Sequence, residues 1–271
     1  MSFCVRIMCL FFVLLGSQLR AQVPFRELSV FGTDADRLVV DELGNVYLMT
    51  ASSIERKNAI GGATFRCSEL QWGDFHAIDV TDPLRPFTHF PATGKVVFFD
   101  NTLSVQGTPI DLFEQGFDNV EWMCGSRGDG YWLWDGRNSE LVRVDRNFNK
   151  RFGTGNLSIL QNRALRPIGM MERGSYLYVL NDDFALLVFD MFGSWKKSIP
   201  LAAVTTWVAD SNRLYVFRND GKLEIIDSNS WLTETLELPG SVGDYFYHNG
   251  HLFWLFEGRL REYERGENAR N

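Results

Sequence analysis

The sequence predicts an all-β fold, a β-propeller of about six four-stranded blades closed by the N-terminal strand. Three observations lead to this prediction. A unit of strand, polar turn, strand and closing Asp recurs along the chain, its copies are about 40 residues apart, and stretches with the 3.6-residue period of a helix are almost absent. Because a four-stranded propeller blade takes about 40–45 residues, each copy fits one blade.

The repeat is clearest in residues 174–190 and 211–227, where an aromatic-aliphatic strand, a polar turn and a second strand end on Asp. The same pattern recurs in residues 130–145 and 250–263, and weaker copies occupy residues 44–56 and 86–100. One aromatic residue marks each copy: Tyr47, Phe90, Trp132, Tyr178, Tyr215 and Phe253, at steps of 43, 42, 46, 37 and 38 residues. Apolar-polar alternation and the Asn-Asp-Gly turn at residues 219–221 indicate antiparallel hairpins.

Residues 1–21 have the pattern of a signal peptide. Arg6 gives a positive start, an apolar run of about ten residues begins at Ile7, and Ala21 is the small residue before the expected cleavage site. The run is too short for the roughly 20 residues that a membrane-spanning helix needs. We therefore expect residues 22–271 to be exported to the periplasm, with secretion as the alternative, as one propeller domain without membrane insertion and monomeric in isolation.

The last repeat lacks one strand, because only a charged tail follows residue 263. Residues 25–31, at the start of the mature chain, are the candidate for its fourth strand. Pairing both ends of the chain in one blade removes two open sheet edges, which otherwise favour aggregation.

The charge of the chain argues against nucleic acid as a partner. The chain has 27 Lys and Arg against 34 Asp and Glu, a net charge of −7, and loss of Arg6 and Arg20 with the signal peptide makes it −9. Nucleic-acid-binding domains carry a basic surface instead. Two cysteines remain after cleavage, Cys67 and Cys124, and the sequence leaves open whether they form a disulfide.

Residues 74–82 contain three carboxylates and one His, end in Asp79 and Asp82, and are followed by Pro83. The segment lacks the glycine and the ligand spacing of a calcium loop. We therefore expect its Asp side chains to accept hydrogen bonds from local backbone amides, while Pro83 fixes a turn.

Trp122, Trp132 and Trp134 lie in one repeat. Packing between blades is the favoured role for such rings, and stacking on a sugar is the alternative. Because Trp122 is the one expected at an edge, it joins Asp79, Asp82 and Pro83 as a candidate binding residue.

The other patterns predict no catalytic residue, no metal and no cofactor. The sequence contains no G-x-S-x-G, H-E-x-x-H or C-x-x-C motif. Acidic residues do recur, once per copy, but a residue that recurs in every blade is expected to stabilise the blade. These closing residues are Asp100, Asp145, Asp190 and Asp227.

Three segments resemble a family of exported β-propellers from Bacteroidota: residues 39–47 (VVDELGNVY), 79–87 (DVTDPLRPF) and 96–104 (VVFFDNTLS). The second segment has Asp82 where Asn is expected. The family includes the periplasmic plug subunit of the type IX secretion translocon, which closes the periplasmic end of an outer-membrane pore. The resemblance implies a non-enzymatic protein-binding or plug (gating) subunit, partnered by an outer-membrane translocon or another envelope protein.

Two other functions stay open, because a propeller fold does not by itself define an activity. The first is a lyase or hydrolase acting on sugars or lactones, which a cluster of His, Asp and Glu at the central channel would favour. The second is a carbohydrate-binding module, which several exposed Trp on one face would favour.

Overall fold

The computed structural model describes residues 24–59, 62–68, 71–126 and 129–266. The expected signal peptide, residues 1–21, lies outside the described residues. The strands form six antiparallel sheets that stand as blades in a ring, which confirms the prediction of a six-bladed propeller. Within the described ranges, no helix is long and apolar enough to cross a membrane.

The chain enters through β1 (Phe25–Gly32) and then forms the blades in order. Blade 1 contains β2 (Arg37–Val40), β3 (Val46–Thr50), β4 (Ser53–Lys57) and β5 (Thr64–Cys67). Blade 2 contains β6 (Phe87–Phe90), β7 (Lys95–Phe98) and β8 (Ile110–Asp111). Blade 3 contains β9 (Val120–Gly125), β10 (Tyr131–Asp135), β11 (Glu140–Val144) and β12 (Lys150–Gly153).

A short helix, α1 (Leu157–Leu160), connects blades 3 and 4. Blade 4 contains β13 (Pro167–Arg173), β14 (Tyr176–Asn181), β15 (Ala185–Asp190) and β16 (Trp195–Pro200). Blade 5 contains β17 (Val204–Ala209), β18 (Arg213–Arg218), β19 (Lys222–Asp227) and β20 (Thr233–Glu237). Blade 6 contains β21 (Asp244–His248), β22 (His251–Phe256), β23 (Arg259–Arg265) and, as its outer strand, β1.

The hydrophobic core lies between neighbouring blades rather than in the centre of the ring. Successive side chains of a strand point to opposite faces of its sheet. On β10, Trp132 and Trp134 therefore pack with Leu177 and Phe189 of blade 4, and all four side chains are at most 1% exposed. The residues that alternate with them on β10, Tyr131 and Leu133, pack towards blade 2 instead. Packing between blades is thus the role of these two rings.

Blade 2 departs from the four-stranded pattern. Where the other blades have a regular first strand, this one has an isolated bridge in which Asp79 and Phe87 exchange both backbone hydrogen bonds (2.8 and 3.0 Å). The preceding carbonyl groups of Phe75 and His76 accept hydrogen bonds from the side chain of Arg37 in blade 1 instead of from a strand. The side chain of Arg37 therefore takes the place of regular strand pairing here.

A repeated turn explains the Asp residues that close the copies. The Asp100 carboxylate accepts hydrogen bonds from the backbone N–H groups of Thr102 (2.7 Å) and Ser104 (3.0 Å), and Leu103 between them has a φ of 59°. The same pair of bonds recurs in the turns that begin at Asp41, Asp145 and Asp190. Three of the closing residues, Asp100, Asp145 and Asp190, thus hold a turn whose fourth residue lies in the left-handed region, whereas the Asp227 carboxylate accepts hydrogen bonds from the N–H groups of Asn229 and Ser230.

Asp100→Ala is expected to cost about 1 kcal/mol, as the loss of a helix-capping side chain does. Hydrogen bonds from Thr102 lower the pKa of Asp100. When the pKa of a carboxyl group is lower in the folded state than in the unfolded state, its ionised form stabilises the fold at a pH above the unfolded-state pKa, which is near 4. This stabilisation is lost as the pH falls through the folded-state pKa. Urea unfolding should therefore show a deficit at pH 6 that fades near pH 3. Asp100→Asn, which keeps an acceptor oxygen, is the control and should show a smaller deficit; an undiminished alanine deficit at pH 3 contradicts the assignment.

Cys67 and Cys124 do not form a disulfide with each other. Cys67 is buried in the core between blades 1 and 2, and Cys124 is buried in the core between blades 3 and 4. Because a disulfide requires Cα atoms within about 7 Å, this separation answers the question that the sequence left open.

Candidate functional site

The central channel of the ring forms a cavity with a volume of about 510 Å³. First strands line it: β2, β9, β13, β17 and β21, together with residues 76–80 of blade 2. Neighbouring first strands contact one another, for example β9 with β13 and β2 with β21. The volume is within the range of small-molecule pockets, about 300–1,000 Å³.

The middle of the channel is apolar and aromatic. Trp122 of β9 and Trp207 of β17 are both half-buried, and each also packs on the core between two blades. The half-buried Met170 and Met171 of β13 lie in the same lining. The Trp207 ring lies next to the backbone of Gly169, at van der Waals distance (3.6 Å) from the position that a Cβ would take there.

The irregular first segment of blade 2 brings the second strand of that blade to the channel wall. Phe87, His89 and Pro91 all contribute to the lining. Burial lowers the pKa of His89 to about 4, so its ring is neutral near pH 7. Its Nε2 atom has no hydrogen-bond partner among the residues that the structure describes.

Asp244, the first residue of β21, connects blade 6 to blade 1. Its Oδ2 atom accepts a hydrogen bond from the backbone N–H of Leu38 (2.8 Å), and its Oδ1 atom accepts one from that of Tyr245 (3.1 Å). Desolvation nevertheless raises the pKa of Asp244 to about 6. The arrangement therefore favours a carboxyl group that keeps its proton to a higher pH than an exposed Asp does.

Asp244→Asn is expected to stabilise the protein at pH 8 by about 3 kcal/mol, because the pKa of Asp244 is raised by about two units and each unit corresponds to about 1.4 kcal/mol. A carboxyl pKa that is higher in the folded than in the unfolded state makes stability fall as the pH rises from about 4 to about 6. The gain should therefore vanish near pH 4 in urea unfolding measured at several pH values. A gain that is equal at pH 4 and pH 8 would instead indicate a packing effect.

Asp79 and Trp122, two of the four predicted binding residues, come together at the channel. The Asp79 carboxylate accepts hydrogen bonds from the backbone N–H of Thr81 (2.8 Å) and from that of Gly125 in blade 3 (2.8 Å). As the sequence predicted, Asp79 thus bonds backbone amides, but one of them belongs to the next blade. The residue connects two blades as well as lining the channel.

Asp82 and Pro83 do not line the channel. They lie in the turn that precedes β6, where the exposed Asp82 carboxylate accepts a hydrogen bond from the backbone N–H of Leu84 (3.0 Å). This geometry agrees with the expected turn and does not bring either residue into contact with the cavity.

Several polar residues of the channel were not predicted from the sequence: Arg37, His89, Arg173 and Asp244. None belongs to a motif, and the chain brings them together only by closing the ring. The one usable signal is position, because Arg37, Arg173 and Asp244 each stand at an end of a first strand.

A second candidate surface is an exposed group of apolar residues, here called the apolar corner: Ile159, Leu160, Ile168 and Phe184, which are 77%, 66%, 43% and 46% exposed. The group lies where α1 and the start of β13 meet the turn between β14 and β15. Hydrogen bonds hold these segments together, from the Asp182 N–H to the Arg166 carbonyl (3.0 Å) and from the Leu165 N–H to the Ser158 hydroxyl (3.2 Å).

The tryptophans do not form an exposed binding face. All eight lie in the described part of the chain, and among them Trp195, 46% exposed, is the only exposed one. The described residues also contain no group of three His, Cys, Asp or Glu side chains placed to hold a metal ion.

Comparisons with known proteins support the fold and nothing finer. No protein-family model and no curated protein matches the chain. A streptogramin B lyase is similar in structure, with a TM-score of 0.59 and 10% identity over 89% of this chain and 96% of that one. A virginiamycin B lyase from Staphylococcus aureus, a catalytically inactive variant with quinupristin, gives 0.59 and 9% over 90% and 99%. BBS1N in complex with ARL6DN gives 0.57 and 10% over 92% and 99%.

Proposed function

We propose that this protein is a non-enzymatic, protein-binding propeller of the periplasm, and that it acts as a plug or gating subunit of an outer-membrane secretion complex. The observation that carries the proposal is the apolar corner. Large apolar side chains that are contiguous and exposed are typical of interaction surfaces in proteins that are otherwise soluble. The expected signal peptide supports a periplasmic location, and the resemblance to exported Bacteroidota propellers supports a role in an outer-membrane secretion complex.

The apolar corner suits a partner surface because its backbone is held in place. α1 is a single turn, but the Ser158 hydroxyl accepts a hydrogen bond from the Leu165 N–H within the connecting segment. The backbone of Arg166 bonds to Asn181 and Asp182 of blade 4. An ion pair between Arg163 and Asp183 joins the same two segments. Because little further ordering is needed on binding, the entropy cost of docking is small.

The tightly packed interior of the ring suits a protein that closes a pore. Cores fill the spaces between neighbouring blades, and the channel is lined by side chains rather than left as a wide pore. BBS1N in complex with ARL6DN provides an instance of a similar ring that holds a protein partner. The gating role follows from the family resemblance, and it requires a functional test.

The test is affinity purification of the tagged protein from native cells, after the outer membrane is solubilised in detergent. We expect mass spectrometry to recover a large outer-membrane barrel with the wild-type protein. The double variant Ile159→Asp/Leu160→Asp should lose it, since both side chains are exposed and their replacement leaves the core intact. Leu232→Asp, at a side chain that is 74% exposed in blade 5, is the matched control and should retain it.

Gating has its own readout. The purified barrel should be closed in a planar lipid bilayer when the propeller is bound and conduct ions after the propeller is removed. Recovery of no envelope protein with wild type, or equal recovery with the apolar-corner variant, contradicts the binding role. A barrel that conducts equally with and without the propeller contradicts the plug role alone.

A propeller lyase or hydrolase is the second candidate, and the channel provides the observation that favours it. His76, His89 and Glu121 line the channel beside Asp79 and Asp244. The fold is also similar to that of two lyases, although this similarity extends to the fold alone. Turnover of a lactone or a sugar substrate that is lost in His89→Gln, with the fold retained, would favour this candidate over the plug.

A further inference from the structure

The lining of the channel contains a buried cation, the guanidinium of Arg173. Arg173 ends β13 in blade 4 and is 9% exposed. Its Nη1 atom donates hydrogen bonds to the Thr81 hydroxyl in blade 2 (2.8 Å) and to the Glu172 backbone carbonyl (2.8 Å). The side chain thus connects blade 4 to blade 2 and places a positive charge in the lining of the cavity.

Arg173 makes no ion pair within the described part of the chain. Of the nearby carboxylates, that of Asp79 accepts hydrogen bonds from the backbone N–H groups of Thr81 and Gly125, and that of Glu172 accepts them from Ser126 and Trp132. A guanidinium has five N–H donors, and both hydrogen bonds of Arg173 leave from one nitrogen. No hydrogen bond from Nε or Nη2 to a described residue occupies these two donors, and such a fork pairs bidentately with the two oxygen atoms of a carboxylate.

An apolar wall leads to this cation. Gly169, Met171 and Arg173 alternate along one side of β13, with the Trp207 ring packed over Gly169. Four strand residues at about 3.3 Å each separate the Trp207 end from the Arg173 end by about 13 Å. Trp122 and Met170 complete the apolar lining. This wall has the length of a chain of about eight to ten carbons in an extended conformation.

We propose that the central channel binds an amphipathic monocarboxylate, with its apolar chain along Trp207, Trp122 and Met171 and its carboxylate on Arg173. The cavity of about 510 Å³ holds such a molecule with room to spare. Binding compensates the charge of a buried guanidinium, which is otherwise costly to keep away from water. This site is independent of the apolar corner, so it exists whether or not the protein is a plug.

Isothermal titration calorimetry tests the site with three probes on the full-length mature protein. Octanoate has both an apolar chain and a carboxylate, octan-1-ol has the chain without the charge, and acetate has the carboxylate without the chain. We expect octanoate to bind with a stoichiometry of one, and the other two to bind at least about tenfold more weakly, since an ion pair of this kind contributes well over 1.4 kcal/mol. Absence of octanoate binding, or equal binding of octan-1-ol, overturns the proposal.

Variants locate the site. Arg173→Gln should weaken octanoate binding at least tenfold and leave octan-1-ol unchanged, whereas Arg173→Lys should retain part of the affinity. Arg137→Gln is the matched control, because its side chain is 68% exposed in blade 3. Octanoate binding that survives Arg173→Gln overturns the assignment. If Arg173→Gln fails to fold, the comparison of octanoate, octan-1-ol and acetate on the wild-type protein still tests whether the channel binds a monocarboxylate.

The outcome is separable from that of the proposed function. Arg173→Lys is expected to recover the outer-membrane partner as wild type does, and the Ile159→Asp/Leu160→Asp variant is expected to bind octanoate as wild type does. A failed affinity purification therefore does not affect the conclusion from the octanoate titration, and the reverse also holds.

Discussion

Removing residues 23–31 is expected to unfold the whole domain rather than a single blade. β1 pairs with β23 over seven residue pairs, from Phe25 with Arg265 to Gly32 with Arg259, so its loss opens the edge of β23. Because the core that contains blade 6 also contains side chains of blades 5 and 1, damage to blade 6 extends to both neighbours. We expect the melting temperature to fall by at least about 10 °C, measured by circular dichroism, since about 1 kcal/mol corresponds to 2–4 °C in a domain of this size.

A graded variant separates closure from the general effect of truncation. Phe25 is 7% exposed and packs edge-on against Tyr247, with the ring centroids 6.4 Å apart. Phe25→Ala should cost about 3–4 kcal/mol, as other buried Phe truncations do. Leu28→Ala, in the same strand but 44% exposed, should cost less than about 1 kcal/mol. A truncated protein that melts like the full chain would show that the N-terminal strand is dispensable for closing the ring.

The number of blades could be predicted because the residues that form the repeat lie on the most deeply buried strand of each blade. The six aromatic markers lie on β3, β6, β10, β14, β18 and β22, the second strand of each blade. A second strand has sheet neighbours on both sides and a blade on each face, so nearly all its residues are apolar. The sequence signal is therefore strongest there and survives differences in turn length.

The channel could not be predicted in the same way, because it is made of first strands. These strands border the cavity and mix apolar with polar residues, as in β2, where Arg37 and Leu38 are adjacent. The hydrogen bond between Thr81 and Arg173 joins positions 92 apart in sequence, a separation that no local pattern reveals. The irregular segment before β6 was likewise missed, because its backbone is satisfied by the side chain of Arg37 in another blade.

Trp132→Phe is expected to destabilise the protein much more than Trp134→Phe, although both rings are at most 1% exposed on the same strand. The Trp132 Nε1–H donates a hydrogen bond to the Glu172 carboxylate (2.6 Å), which is itself buried. The Trp134 Nε1 atom has no acceptor among the described residues. Loss of a hydrogen bond to a buried charged group costs about 2–3 kcal/mol, whereas removal of an unsatisfied N–H costs nothing of that kind.

Both alanine variants should cost about 3–5 kcal/mol, because both remove a large buried ring. The phenylalanine pair therefore isolates the polar contribution, and we expect a difference of about 2 kcal/mol in urea unfolding at pH 7. Glu172→Gln serves as the control, since a neutral acceptor weakens the hydrogen bond and should reduce the difference between the two phenylalanine variants. Equal costs for the two would show that the Trp132 ring stabilises the blade interface by packing alone.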